Sequence, residues 1–235
     1  MTKPLGKLIL ALALPFALAA CGEDSAAPGA SGNGAVEASL APAAGHAANI
    51  SASEESEAGF ALGGMRVGNP DAPVNIVEYA SMTCPHCATF HTRVLKPLKK
   101  SYIDSGQVFY EFRNYARDRM DLAVATLTRC QGPEQFFPLL DLFFTRQQQW
   151  MANYRDPRQM LDDIAAVARQ AGMSRARVDQ CLAERELQEH VAGMTADGQK
   201  EWQISGTPTV ILNGRKLGNE AMSYEGLVAE IEKAL

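Results

Sequence analysis

The 235-residue chain has no basic surplus: 22 Lys and Arg stand against 27 Asp and Glu, a formal charge of −5. That excludes the electrostatic footprint by which a protein grips nucleic acid, so no nucleic-acid partner is expected. Cysteine is scarce, five residues in all, too few for a small domain stapled together by disulfides. Beyond the amino-terminal segment, no apolar run approaches the roughly 20 residues that cross a bilayer. No internal repeat is visible, which sets solenoids aside. What is present is ordinary globular composition, 46% apolar and 21% charged. The length suits one domain, or one domain carrying an insertion. The five cysteines have to be explained one at a time.

The first lies behind an address. Lys3 and Lys7 flank an apolar stretch, Leu8 to Ala20, free of charge. Residues 1–20 read as a secretory signal peptide, and Pro15 disfavours the alternative of a buried helix. Leu18-Ala19-Ala20-Cys21 resembles the lipobox of bacterial lipoproteins. That resemblance implies cleavage before Cys21, lipidation of its sulfur, and a periplasmic or otherwise extracytoplasmic protein anchored in a membrane, where disulfides persist. An unmodified cysteine after a plain signal cut is the alternative. Glu23 to Gly59 is rich in Ala, Gly, Ser and Glu and lacks core periodicity. Residues 21–60 therefore read as the lipidated Cys and a flexible tether, roughly 30–35 Å long as a coil, with room for a short helix over 52–62.

From Met65 the pattern changes. Val74 to Ala80 is a short apolar-rich run and reads as a buried strand. A helical stretch follows to about Ser105, kinked at Pro97, and then a second strand from Gln107 to Asn114. Residues 118–203 read as helices over 119–130, 134–149, 158–171, 175–183 and 185–203. Thr207 to Leu212 reads as a strand, Asn213-Gly214 as a hairpin turn, Arg215 to Leu217 as the return strand, and Tyr224 to Leu235 as an amphipathic helix.

Cys84-Pro85-His86-Cys87 sits where the first strand gives way to a helix. At a helix N-terminus, unpaired N–H groups and the macrodipole favour an anion, so the Cys84 thiolate should be stabilised. Cys87 lies one turn inward, close enough to attack a mixed disulfide on Cys84. His86 can add positive charge or a donor, whereas Pro85 has no N–H to offer. A stabilised thiolate favours the reduced form and makes the disulfide an oxidant. A zinc site using Cys84, Cys87 and His91 lacks the second Cys pair such sites usually have, so no metal is expected. A static structural disulfide gains little from so short a loop. Glu78 lies on an otherwise apolar strand six residues before Cys84, where burial would raise its pKa and make it a proton acceptor for Cys87. Its alternative is a strand-edge carboxylate facing water. Thr207-Pro208 precedes the third strand, and such a bond beside a redox pair can be cis, which turns the Thr207 backbone toward the sulfurs and lets a substrate strand pair there.

The run Glu78-Tyr79-Ala80-Ser81-Met82-Thr83-Cys84-Pro85-His86-Cys87 resembles the DsbA family of secreted thiol–disulfide oxidoreductases, and Gly206-Thr207-Pro208-Thr209 resembles its cis-proline loop. The resemblance covers roughly residues 65–235. It implies an α/β thioredoxin fold with an inserted α-helical domain: the thioredoxin-like part over 61–117 and 204–235, the insert over 118–203. It further implies Cys84 as nucleophile, Cys87 as resolving Cys, Glu78 as buried acid and Pro208 as cis, with no cofactor. The implied partners are unfolded or reduced secreted proteins and a DsbB-like membrane oxidase as reoxidant. Thr207 stands where the best-known oxidases carry valine, which resembles isomerase and reductase relatives. A redox-inert binding or assembly adaptor is the reading from a different class.

Cys130 and Cys181 remain. In an oxidising compartment they read as a structural disulfide, with two buried thiols as the alternative. Phe136, Phe137, Leu140, Phe143 and Phe144 recur at helical spacing and read as core. Trp150 and Tyr154 read as half-buried packing, with a substrate groove as the alternative. His91 and His190 read as surface residues.

Overall fold

The computed structural model describes residues 49–235; the signal segment, Cys21 and most of the tether fall outside the described residues. Six strands form one sheet: β1 (Ile50–Ala52), β2 (Met65–Gly68), β3 (Val74–Ala80), β4 (Val108–Asn114), β5 (Thr209–Leu212) and β6 (Arg215–Lys216), in the order β1-β2-β4-β3-β5-β6. β3 and β4 run parallel, pairing Ile76 with Tyr110 and Glu78 with Phe112; every other neighbouring pair is antiparallel. Side chains alternate across the sheet. Val74, Ile76 and Ala80 enter the main core with Val108, Tyr110 and Phe112. Tyr79 faces the other way, into a smaller cluster with Tyr115, Ile204 and Ile211.

β3 leads into the helix Pro85–Phe90, which continues without a break through π-helical turns His91–Leu95 and Lys99–Ile103 on either side of the α-helical Lys96–Leu98. Pro97 lies in that middle piece. It removes one backbone donor from the ladder, and π-helical turns lie on both sides of it.

Between β4 and β5 lie helices Arg119–Arg129, Pro133–Thr145, Gln147–Trp150, Pro157–Gln170, Arg175–Ala183 and Arg185–Trp202. Three of these six starts are set by side chains that accept otherwise unpaired N–H groups: Asp118 from Met120 and Asp121, Asp156 from Arg158 and Gln159, and Ser174 from Arg177. Phe136, Leu140, Phe143 and Phe144 fill the centre. Trp150 lies wholly within it and donates its indole N–H to the Phe143 carbonyl at 2.8 Å. Tyr154 stays exposed and donates to Asp118 at 2.8 Å. A disulfide joins Cys130 to Cys181, with their Cα atoms 5.8 Å apart. Helix Arg185–Trp202 lies close on the sheet at Gly198, where a Cβ would come within 2.8 Å of the Tyr79 ring. The helix Tyr224–Glu232, capped by Ser223, closes the fold.

Beyond Trp150, which is wholly rather than half buried, and Tyr154, which is exposed, three sequence expectations need correction. The tether ends earlier than residue 60: β1 begins at Ile50, and Phe60, Ala61 and Leu62 are buried. Residues 52–62 form no helix; their backbone pairs across a hairpin-like turn, Ser53 N–H to the Gly64 carbonyl at 2.8 Å and Leu62 N–H to the Glu54 carbonyl at 2.9 Å. What holds this turn down is Arg129. Wholly buried, it donates to Asn114 Oδ1 at 2.7 Å, to the Ala61 carbonyl at 2.9 Å and to the Gly63 carbonyl at 2.5 Å. Burial lowers its pKa to about 9. The third correction is His91, which is 5% exposed, with Nε2 at 3.1 Å from Asp141 and its ring centroid 5.1 Å from that of Phe144. His91 falls in one buried stripe with Cys87, Phe90, Val94, Leu95 and Leu98, spaced three and four apart, so helical periodicity itself turns it inward.

Candidate active site

Cys84 is the N-cap of the helix Pro85–Phe90, in extended conformation, with Pro85 in the first turn. Its residue is nearly buried, while Pro85 and His86 are exposed. Cys87, one turn inward, is fully buried, and both thiols are free. The Thr207–Pro208 peptide is cis, and Cys84 Sγ donates to the Thr207 carbonyl at 3.3 Å. Thr207 Oγ1 is buried with no partner in hydrogen-bonding geometry, yet it lies near enough to favour a thiolate at Cys84.

The two thiols are driven apart. The Cys84 pKa falls to about 4, chiefly because the Cys87 thiol donates to it; partial burial opposes this, and Thr207 and the backbone N–H groups of Cys87 and His86 reinforce it. That is the helix N-terminus acting through its unpaired amides. The contribution resolved for His86 is its amide. Cys87 moves the other way, well above the free-thiol range, first through burial and then through the negative charge of Cys84 and Glu78.

Glu78 is on β3, 1% exposed. Burial raises its pKa to about 8; a hydrogen bond from Tyr110 pulls it back part of the way and the charge of Cys84 pushes it up. Tyr110 Oη donates to Glu78 Oε2, while Oε1 is buried without a partner. The structure thus brings Glu78, Cys84, Cys87, Thr207 and Pro208 to one end of the sheet. Cys130 and Cys181 lie in the helical block instead.

Sequence reasoning missed the residues that hold the site loop. Asp121, from the first helix after β4, accepts from the Met82 N–H at 2.7 Å, from Ser81 Oγ at 2.5 Å and from the Arg117 N–H at 3.0 Å. Gln147 Nε2 donates to the carbonyls of Met82 at 2.8 Å and Cys84 at 3.0 Å. Arg117 reaches Ser81 Oγ and Thr83 Oγ1, each at 3.0 Å. Nothing local in the sequence tells that Asp121 and Gln147 turn toward Met82. Among the described residues, no three His, Cys, Asp or Glu side chains converge as metal ligands.

A dithiol at the start of the helix that follows β3, facing a cis-proline loop before β5, defines the thioredoxin class of redox proteins. The thioredoxin family model matches residues 61–233, and the chain belongs to that family, in its DsbA-like group. A provisionally named protein-disulfide oxidoreductase of Rickettsia conorii is 34% identical over 171 residues, 73% of this chain and 60% of the relative. The chain spans only 60–64% of the length of such Rickettsia relatives. A crystal structure of a protein-disulfide isomerase from Novosphingobium aromaticivorans matches with TM-score 0.66 at 28% identity, over 72% of this chain and 95% of that one. Wolbachia pipientis alpha-DsbA1 matches with TM-score 0.63 at 26% identity, over 72% and 89%. The fold is therefore a thioredoxin fold with helices inserted between β4 and β5.

Proposed function

We propose that this chain is a thiol–disulfide oxidoreductase that introduces disulfides into secreted proteins through Cys84-Pro85-His86-Cys87. The observation that carries the reading is the opposite displacement of two thiols one helical turn apart, Cys84 down to about 4 and Cys87 up. A thiolate that is stable at neutral pH stabilises the dithiol form, and the disulfide form then takes electrons readily. In the forward cycle a substrate thiolate attacks Sγ of Cys84 in the oxidised protein. The Cys84–Cys87 bond breaks, a mixed disulfide forms, and Cys87 leaves and takes a proton from Glu78. A second substrate thiolate then attacks the substrate sulfur of the mixed disulfide. The substrate leaves oxidised by two electrons and the protein keeps both thiols, Cys84 as thiolate. In this reading a substrate strand pairs beside Thr207 by main-chain hydrogen bonds.

In this reading Cys21 carries a lipid, the domain works outside the cytoplasm at a membrane surface, reduced secreted proteins are the substrates, and a DsbB-like membrane oxidase restores the disulfide. The relatives' names support the activity; the lipobox and the apolar leader support the location. Thr207 and the neighbour named as an isomerase favour a second reading, isomerisation or reduction through the same Cys84.

Thiolate absorbance of the reduced protein, titrated together with its redox equilibrium against glutathione, tests the proposal. Ionisation near 4 and an oxidising potential are expected. Ionisation near the free-cysteine value of about 8.5 would overturn it. Oxidation of a reduced protein measured beside repair of a scrambled one separates the two directions.

A further inference from the structure

We propose that Tyr110 is the positioning residue of the proton-exchange step: by holding Oε2 of Glu78 it fixes the carboxyl so that Oε1 alone is left to exchange a proton with Cys87. The inference rests on the reading above and adds to it a residue that carries no chemistry itself.

The geometry is specific. Tyr110 and Glu78 sit on adjacent parallel strands, offset so that Tyr110 pairs with Ile76, two residues back from Glu78 on the same face of β3. Tyr110 is wholly buried and its hydroxyl spends its proton on Oε2. Glu78 Oε1, equally buried, has no partner. A buried carboxyl oxygen left unpaired is costly, and the dithiol is the reactive neighbour that acts on this one. The titratable groups acting on Glu78 are Tyr110 from β4 and Cys84 and Cys87 from the helix. His91, Lys96, Lys99 and Asp141 line a cavity of about 200 Å³ with Tyr110, but Asp141 takes both His91 and Lys96, and Lys99 pairs with Asp104. Arg113, in turn, reaches the Tyr79 hydroxyl on the opposite face of the sheet. Among the described residues no Lys or Arg pairs with the carboxyl, so burial raises its proton affinity and the hydrogen bond from Tyr110, a neutral donor, opposes that rise.

The exchange balances. When substrate attack expels Cys87, the proton on Glu78 moves to the Cys87 sulfur and Glu78 becomes a carboxylate, which Tyr110 stabilises by its one hydrogen bond. In the reverse direction Cys87 gives that proton back as its sulfur attacks the mixed disulfide.

The test uses the full-length protein and the Tyr110→Phe variant, which loses only the hydroxyl. Infrared difference titration should place the Glu78 carboxyl about one to two units higher in the variant, the worth of one hydrogen bond to a charged group. The pH profile of exchange with a reduced cysteine peptide should shift by the same amount. In a Glu78→Gln background, Tyr110→Phe should leave that profile unmoved. In the wild type, the Tyr110 ring bands should change at the pH where the Glu78 band does, a readout that needs no variant. An unmoved Glu78 titration, an equal shift in the Glu78→Gln background, or ring bands silent through the Glu78 transition overturns the proposal. The Cys84 titration stands apart: if Cys84 ionises like free cysteine, the oxidoreductase reading falls while the Tyr110–Glu78 result is still read directly.

Discussion

The chain holds two cysteine pairs in the described structure, and they differ in almost everything but the element. Cys84 and Cys87 share one helix turn, stand as free thiols, and meet amides, a carbonyl and a buried carboxyl. Cys130 and Cys181 are separated by 51 positions, join two helices of the insert, and are buried among apolar side chains. Reactivity follows the surroundings of a sulfur, not its burial: Cys84 is nearly as enclosed as Cys130, yet Cys84 caps a helix at its N-terminus, where amides are unpaired, and Cys130 sits at a C-terminus. The first pair is set up to open and close, and the second to stay closed.

The comparison can be broken most forcefully by removing one pair at a time. Cys84→Ser should reduce exchange with peptide thiols to the uncatalysed background and leave the part of the stability that does not depend on the Cys84 thiolate nearly in place. The double substitution Cys130→Ser, Cys181→Ser should do the reverse, keeping most of the exchange rate and lowering unfolding stability by about 4 kcal/mol, the worth of closing a loop of that length. Denaturant unfolding and a peptide oxidation assay on the same samples decide it; loss of exchange in the double variant would mean the insert bond reaches the site.

A smaller effect sharpens it through pH. A folded-state pKa held below the unfolded one stabilises the reduced fold above the unfolded thiol's pKa. For Cys84 that advantage shrinks as pH falls and is gone below about 4. Reduced protein should therefore out-stabilise oxidised protein at neutral pH, with the gap closing in acid. A gap that does not change with pH would contradict the Cys84 environment. The smallest change expected is at Gln147. Gln147→Ala leaves the Met82 and Cys84 carbonyls without their donor, costing about 1–2 kcal/mol with only a few-fold slower exchange. A loss of rate with no loss of stability would instead give Gln147 a direct part in the chemistry.

Much of this was legible in the residues. β3 reads from its apolar run, Glu78 from being the one carboxylate in it, and the helices of the insert from the spans read over residues 118–203. What escaped depends on partners distant in sequence. β1 is three half-buried residues in a Ser-, Ala- and Glu-rich stretch and becomes a strand only because β2 offers an edge. His91 shares a stripe with Cys87 and Leu95 that periodicity turns inward, and the partner that keeps its polar ring there, Asp141, lies 50 residues away. Tyr110 is 32 residues from Glu78, and only the parallel register of β3 and β4 brings the two together.

Arg129 sets a limit on how far the amino end can be trimmed. Two of its acceptors, the carbonyls of Ala61 and Gly63, come from the turn after β1. A shortened chain that starts at Met65 would keep every residue of the dithiol site and strand a guanidinium in an apolar interior, so the minimal folding unit is longer than the redox motif suggests.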